Sequence, residues 1–144
     1  MKKTLQLALL FLATLGLVRA AAAETRLLEM RTIDARVVRV KLDGVMEVRI
    51  RQGNVPSLSI TADKRYIADV STAQSGDTLH IETEVRGFKI GPSSIRADLV
   101  LPSLRELSSE GFGSTDITGF TGEELTLSLE GAGSIKVVGD YRKL

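Results

Sequence analysis

The stretch SSEGFGSTDITGF (108–120) is followed twenty positions later by SLEGAGSIKVVGD (128–140), and six of the thirteen aligned positions are identical. A fixed period of about twenty residues is the signature of stacked coils, because one such unit cannot bury its apolar face alone. At about 3.3 Å per residue the period covers roughly 65 Å, enough for two or three short strands with turns between them. Parallel stacking would set Leu107 over Leu127, Glu110 over Glu130 and Ile117 over Val137. The glycine pairs Gly111 with Gly131, Gly113 with Gly133 and Gly119 with Gly139 would mark corners, where a side chain meets the coil above or φ must be positive. Ser114 over Ser134 would add a hydroxyl ladder beside them. An antiparallel meander with similar turns is the competing arrangement for a glycine-rich β chain.

Upstream of the repeat, VVRVKL (37–42), MEVRI (46–50), LSITA (58–62), TLHIET (78–83) and SIRADLVL (94–101) largely alternate apolar with polar residues. Period two predicts half-buried strands. LDGV, QGNVPS, SGDT and RGFKIGPS separate them and carry the residues that let a backbone bend or reverse. No window shows a convincing helical stripe, although RYIADVSTA (65–73) suits one or two helical turns as well as a loose strand.

The N-terminus reads as a secretory signal peptide. MKK is basic, TLQLALLFLATLGLV is uncharged and apolar, and RAAAAETR closes it with small residues, so cleavage is expected after Ala23. The apolar run falls short of the ~20 residues of a membrane span, and no cysteine follows it to carry a lipid. The expectation is a signal peptide over 1–23 and one domain over 24–144, exported to the periplasm or the cell exterior. An exported chain without cysteine has no disulfide framework and no thiolate metal site. Leaving out Lys2, Lys3 and Arg19, sixteen basic residues face eighteen acidic ones, which argues against a nucleic-acid partner. Residues 24–65 carry nine basic and six acidic groups, and 66–144 carry seven and twelve, so the chain begins basic and ends acidic.

The order VVRVKLDGVMEVRIRQGNVPSLSITAD, DVSTAQSGDTLHIET, IRADLVLPSLREL, then GFGSTDI and GAGSIKV, resembles the bacterial family described as "putative auto-transporter adhesin, head GIN domain". LPSLREL followed by G-x-G-S is the most specific piece. The resemblance covers nearly all of 24–144. It implies an all-β, right-handed parallel β-helix-like solenoid with short N-terminal strands, in an exported protein with a role in adhesion. Similar proteins continue with further glycine-rich coils, whereas this sequence stops at DYRKL, where a third repeat would begin. The resulting expectation is an open last coil through which copies associate.

Catalytic chemistry finds little to work with. His80, the single histidine, alternates with Leu79 and Ile81 onto a polar strand face; it forms no zinc pair, and no G-x-S-x-G elbow exists. Glu110 and Glu130, about 5 Å apart in backbone position if stacked, have the residue types of a glycosidase pair. Only Phe112, Phe120 and Tyr141 stand near as sugar platforms, and the chain has no tryptophan. GFGSTD is a weak match to calcium-binding β-roll repeats, since their period is nine and Asp116 becomes Lys136 in the next copy. No catalytic, cofactor or metal residue is therefore assigned, and no cofactor is expected. Glu110, Asp116, Glu130 and Lys136 are the candidate surface-binding residues. The expected function is a non-enzymatic binding or adhesion module of the bacterial envelope, meeting a polysaccharide or surface protein through a repetitive face. A structural envelope component and a carbohydrate-active enzyme are the alternatives.

Overall fold

The computed structural model describes residues 25–84 and 94–144; the expected signal peptide and the turn expected at RGFKIGPS lie outside them. The strands are β1 (Arg26–Arg31), β2 (Arg39–Val45), β3 (Glu47–Gln52), β4 (Ser57–Asp63), β5 (Val70–Ser75), β6 (Thr78–Thr83), β7 (Ile95–Leu101), β8 (Glu106–Glu124) and β9 (Thr126–Lys143), with one 3-10 turn at Ile67–Asp69. The segment RYIADVSTA thus divides between that turn and β5.

All nine strands join one mixed sheet, in the order β1-β4-β7-β3-β8-β2-β6-β5 with β9 on β8. The order is explained by a bend at Met46. β2 and β3 are two arms on either side of it, and the longer β8 follows both, pairing in parallel with β2 over 106–112 and with β3 over 115–118. β9 repeats that path on β8, from Glu106↔Thr126 to Glu124↔Lys143. On the other side the arms part company: β6 runs parallel to β2, while β7 runs parallel to β3. Folding the sheet in this way turns its inner faces toward each other. Val40, Leu42, Leu79 and Ile81 of one arm and Val48, Ile50, Leu58, Ile60, Leu99 and Ile117 of the other are buried in a single cluster. The alternation read from the sequence is visible in β7, where Ile95, Ala97, Leu99 and Leu101 are buried and the residues between them are not.

The twenty-residue period appears as register. Leu107 pairs Leu127, Glu110 pairs Glu130, Gly111 pairs Gly131, Gly113 pairs Gly133, Ser114 pairs Ser134 and Ile117 pairs Val137. Gly119 and Gly139 fall in a break of the ladder between Thr118 and Thr121. The right-handed parallel β-helix-like solenoid expected for the whole domain is nevertheless wrong. The fold is a nearly closed mixed sheet, in which β1 with β4, β4 with β7 and β5 with β6 are antiparallel. The physical reason lies in the connections. SGDT places only Gly76 and Asp77 between β5 and β6, with Gly76 at φ +62°. A two-residue loop with glycine at its first central position makes a hairpin, and a hairpin is antiparallel.

β1 and β5 lie at opposite ends of the strand order and are joined through side chains. The Arg31 guanidinium donates to the carbonyls of Val70 (2.8 Å) and Ile67 (3.3 Å). Just beyond β1, the Asp34 N–H donates to Gln74 Oε1 (3.0 Å), and Gln74 Nε2 donates to Asp34 Oδ1 (2.8 Å). Hydrogen bonds from Arg36, and then from Gln74, hold the Asp34 carboxyl well below the usual carboxylate range. Asp63 is lowered to about 2 by hydrogen bonds from the Arg65 side chain, the Arg65 N–H and Thr25.

The bend itself depends on glycine. Gly111 and Gly131 have φ of +129° and +102°; a Cβ on Gly111 would fall on the Gly44 carbonyl oxygen, and one on Gly131 would lie 2.5 Å from the Gly111 carbonyl oxygen. Gly76 has φ +62° but nothing within 4 Å. Gly111→Ala is expected to lower stability by about 2–4 kcal/mol or abolish folding, through overlap with backbone as well as strain, and Gly76→Ala by only about 1 kcal/mol. Thermal and denaturant unfolding of both variants checks this; equal losses would contradict it. The depressed carboxyls set an acid limit as well. Their contribution is complete above an unfolded aspartate's value of about 4 and is lost as pH falls toward 2 and below. The Asp34 and Asp63 side chains are 49% and 22% exposed, so solvent screens these contacts and the effect is modest. The melting temperature of Asp34→Asn should fall less than wild type's between pH 4 and 2, and parallel curves would refute the assignment.

Candidate binding faces

The outer faces of the two arms inherit the ladder spacing, so side chains at equivalent positions of neighbouring strands stand in columns about 4.8 Å apart. On the β6-β2-β8-β9 arm, one column is wholly acidic. Glu82 pairs Asp43, Asp43 pairs Glu110, and Glu110 pairs Glu130. Glu110 and Glu130 are exposed, while Glu82 and Asp43 are half-buried. Like charges placed directly opposite repel and destabilise a sheet, so the column concentrates negative potential at the mouth of the bend without stabilising it. Beside it, Phe112 is exposed at the corner, paired with Val45 and Ala132.

Past the bend, on the β7-β3-β8-β9 arm, the column alternates in sign. Asp98 pairs Arg49, Arg49 pairs Asp116, and Asp116 pairs Lys136. Glu47 draws two guanidinium groups to this arm, Arg49 at 3.7 Å and Arg96 at 3.8 Å. A concavity of about 540 Å³ lies over it, lined by Arg49, Arg51, Ser57, Ser59, Asp98 and Asp116. A second, of about 460 Å³, sits where the 101–106 and 121–126 connections meet and includes Glu106, Glu124 and Tyr141. The Tyr141 hydroxyl donates to the Leu104 carbonyl at 2.8 Å, and partial burial raises its pKa.

The four residues singled out in the sequence are therefore brought together in two pairs, Glu110 with Glu130 and Asp116 with Lys136, separated by the bend. Asp43, Glu82, Arg49 and Asp98 were missed. For Asp43 and Arg49 the signal was a degenerate third copy of the repeat: Asp43-Gly44 with apolar Val48 and Ile50 four and six places after the glycine, matching Glu110-Gly111 with Thr115 and Ile117. An offset of 67 positions and the loss of the second glycine, which is Met46 in this copy, hid it from a search for a twenty-residue period. Neither Glu110 nor Glu130, weighed as a glycosidase pair, lines either of the two concavities described above. They project side by side from adjacent strands at an open corner, and of the nearby aromatics Phe120 is buried and Tyr141 is tied to Leu104. His80 is exposed on β6 and pairs Lys41 on the neighbouring strand. Among the described residues no three histidine or acidic side chains are grouped to hold a metal ion, and no helix is long and apolar enough to cross a membrane.

Residues 38–144 match the family model described as "putative auto-transporter adhesin, head GIN domain". The chain belongs to this family. Solved structures share the fold of the GIN domain at low identity. A "putative adhesin" from Bacteroides fragilis aligns with a TM-score of 0.72 at 18% identity, covering 83% of this chain and 56% of that one. A "putative lipid binding protein" from Parabacteroides distasonis aligns at 0.63 and 19%, covering 84% and 61%. A "putative adhesin" from Parabacteroides merdae aligns at 0.58 and 21%, covering 73% and 44%. The chain thus spans about half the length of these solved structures. No curated protein matches it.

Proposed function

We propose that this GIN-domain chain is an exported, non-enzymatic binding module of the adhesin type, acting at the bacterial cell envelope. The observation that carries the reading is the pair of charged columns, Glu82–Asp43–Glu110–Glu130 on one arm and Asp98–Arg49–Asp116–Lys136 on the other, repeated at strand spacing on a sheet with a continuous core. Regular spacing suits a partner with its own repeat, and a polymer can occupy several rungs at once, so weak individual contacts add. An envelope polysaccharide is the favoured partner, with a surface protein as the alternative. Residues 1–23 serve as the signal peptide and 24–144 as the folded domain, and Glu110, Asp116, Glu130 and Lys136 lie on the contact face. Family membership supports adhesion over catalysis, and the side-by-side carboxylates support it further.

Residues 24–144 should bind intact bacterial cells or isolated envelope polysaccharide saturably. A Glu110→Ala/Glu130→Ala variant with unchanged melting temperature should bind at least about tenfold more weakly. Binding that is unaffected by the double substitution would remove this face from the account, and binding to neither target would remove adhesion.

A further inference from the structure

Strand pairing leaves one charge over on the outer face of the β4-β7-β3-β8 arm. In a first column, Thr61–Arg96–Glu47, opposite charges meet on neighbouring strands, with the Arg96 guanidinium 3.8 Å from Glu47. In the second, Ser59–Asp98–Arg49–Asp116–Lys136, two aspartates balance Arg49 and Lys136. The third, Ser57–Val100–Arg51–Thr118, contains a single charge, so Arg51 stands between an aliphatic and a hydroxyl neighbour. Four basic against three acidic side chains leave the three columns at +1, and the surplus sits at Arg51. Arg51 is exposed, and among the described residues no carboxylate lies within ion-pair reach of it.

The second column offers acceptors beside that donor. The Arg49 guanidinium leans along its own strand to Glu47, 3.7 Å away, and among the described residues makes no ion pair with Asp98 or Asp116. Both aspartates are half-buried, with carboxylate oxygens open to accept hydrogen bonds. The second and third columns lie two residues apart along the strands, about 6.6 Å. The concavity of about 540 Å³ spans both of them and is lined by half-buried Val100 as well as by the charged and hydroxyl groups. Its volume falls within the range of about 300–1,000 Å³ common to small-molecule sites.

We propose that this concavity is a site for one hexuronic-acid residue of a glycan, with Arg51 holding its carboxylate and Asp98 and Asp116 accepting from its ring hydroxyls. A guanidinium presents paired N–H donors that match a carboxylate, whereas ionised aspartates only accept and so select the hydroxyl side of the ring. Ser57 and Thr118, in the column of Arg51, add hydroxyls at the carboxylate end. Val100 gives the C–H face of the ring an apolar seat. The acidic column Glu82–Asp43–Glu110–Glu130 across the bend repels the same carboxylate and directs it to this arm. The inference rests on the reading of the partner as a glycan and adds which sugar is recognised and where.

The test is a titration of isotopically labelled residues 24–144, which include every described strand, with methyl glucuronide, methyl galacturonide and methyl glucoside, followed by amide chemical shifts. At least one uronide should shift Arg51, Ser57 and Val100 saturably. The glucoside, with a hydroxymethyl group in place of the carboxylate, should bind at least about tenfold more weakly, and acetate should do no better. Saturation by neither uronide, or equal binding of the glucoside, would overturn the proposal; acetate as tight as the uronide would reduce the site to a bare-anion contact and overturn it too. Arg51→Gln should weaken uronide binding about tenfold or more at an unchanged melting temperature. Lys64→Gln, which removes an exposed charge outside the concavity, should weaken it less than about twofold, and equal losses would mean that no site is read. Envelope-polysaccharide binding undiminished by Arg51→Gln would reject this site and leave the adhesive reading standing. Uronide binding lost in Arg51→Gln, with no binding to cells or polysaccharide by the unaltered protein, would support the site and remove the adhesive reading.

Discussion

Backbone packs directly on backbone at the bend, and the remaining architecture depends on that contact. Strands stacked at about 4.8 Å leave no room for a side chain where each turns the same corner. Gly44, Gly111 and Gly131 meet the condition in succession, all with positive φ. The column ends at Thr83 on β6, where a Cβ on Gly44 would fall on the threonine hydroxyl; Thr83 Oγ1 accepts a hydrogen bond from the Val45 N–H at 2.9 Å, so a side chain fills the place that a further bend would take. With the corner secured, one long strand can belong to both arms, and the inner faces on either side of it close over the same core. Without it, β8 would have to end at one arm and the two faces would lose their common edge.

Burying the arms is then a matter of covering what diverges. β6 with β5, and β7 with β4 and β1, extend each arm outward from the shared stack, and the alternation of large apolar residues keeps the interior continuous from Val40 to Leu125. The two ends of the sheet do not meet as a ladder. Arg31 and the Asp34–Gln74 pair bridge them instead, a guanidinium and a carboxamide each satisfying backbone groups on the far side of the gap. A chain without disulfides thus closes its sheet by polar contacts at the seam and hydrophobic burial beneath it.

Much of this was legible because period and register are linked. The identity of residues twenty apart set Leu107 beside Leu127 and Glu110 beside Glu130, and alternation in IRADLVL and LSITA located inward and outward faces. The hand and generality of the repeat were not legible. Two copies establish that two strands stack in parallel; they do not establish that the other seven do, and the two-residue loop at Gly76 and Asp77 already argued for an antiparallel hairpin. The copy at 39–52 escaped notice because β2 and β3 keep only the acidic residue, one glycine and the apolar spacing. Recognising it would have extended the acidic column to Asp43. Glu82 belongs to a strand with no trace of the repeat, so only pairing in three dimensions reveals its place.

The charged columns follow from the same corner. Because the bend holds successive strands in fixed register, any acidic residue just before the glycine must stand beside its counterpart, and the surface is patterned by the rule that orders the interior. The most direct test of this account is an NMR determination of interstrand contacts in isotopically labelled residues 24–144. Cross-strand nuclear Overhauser effects should connect 42–45 with 109–112 and 109–112 with 129–132 in parallel register, while β5 and β6 show antiparallel contacts across Gly76 and Asp77. Antiparallel contacts between β8 and β9, or parallel coils continuing through β4 and β5, would contradict it.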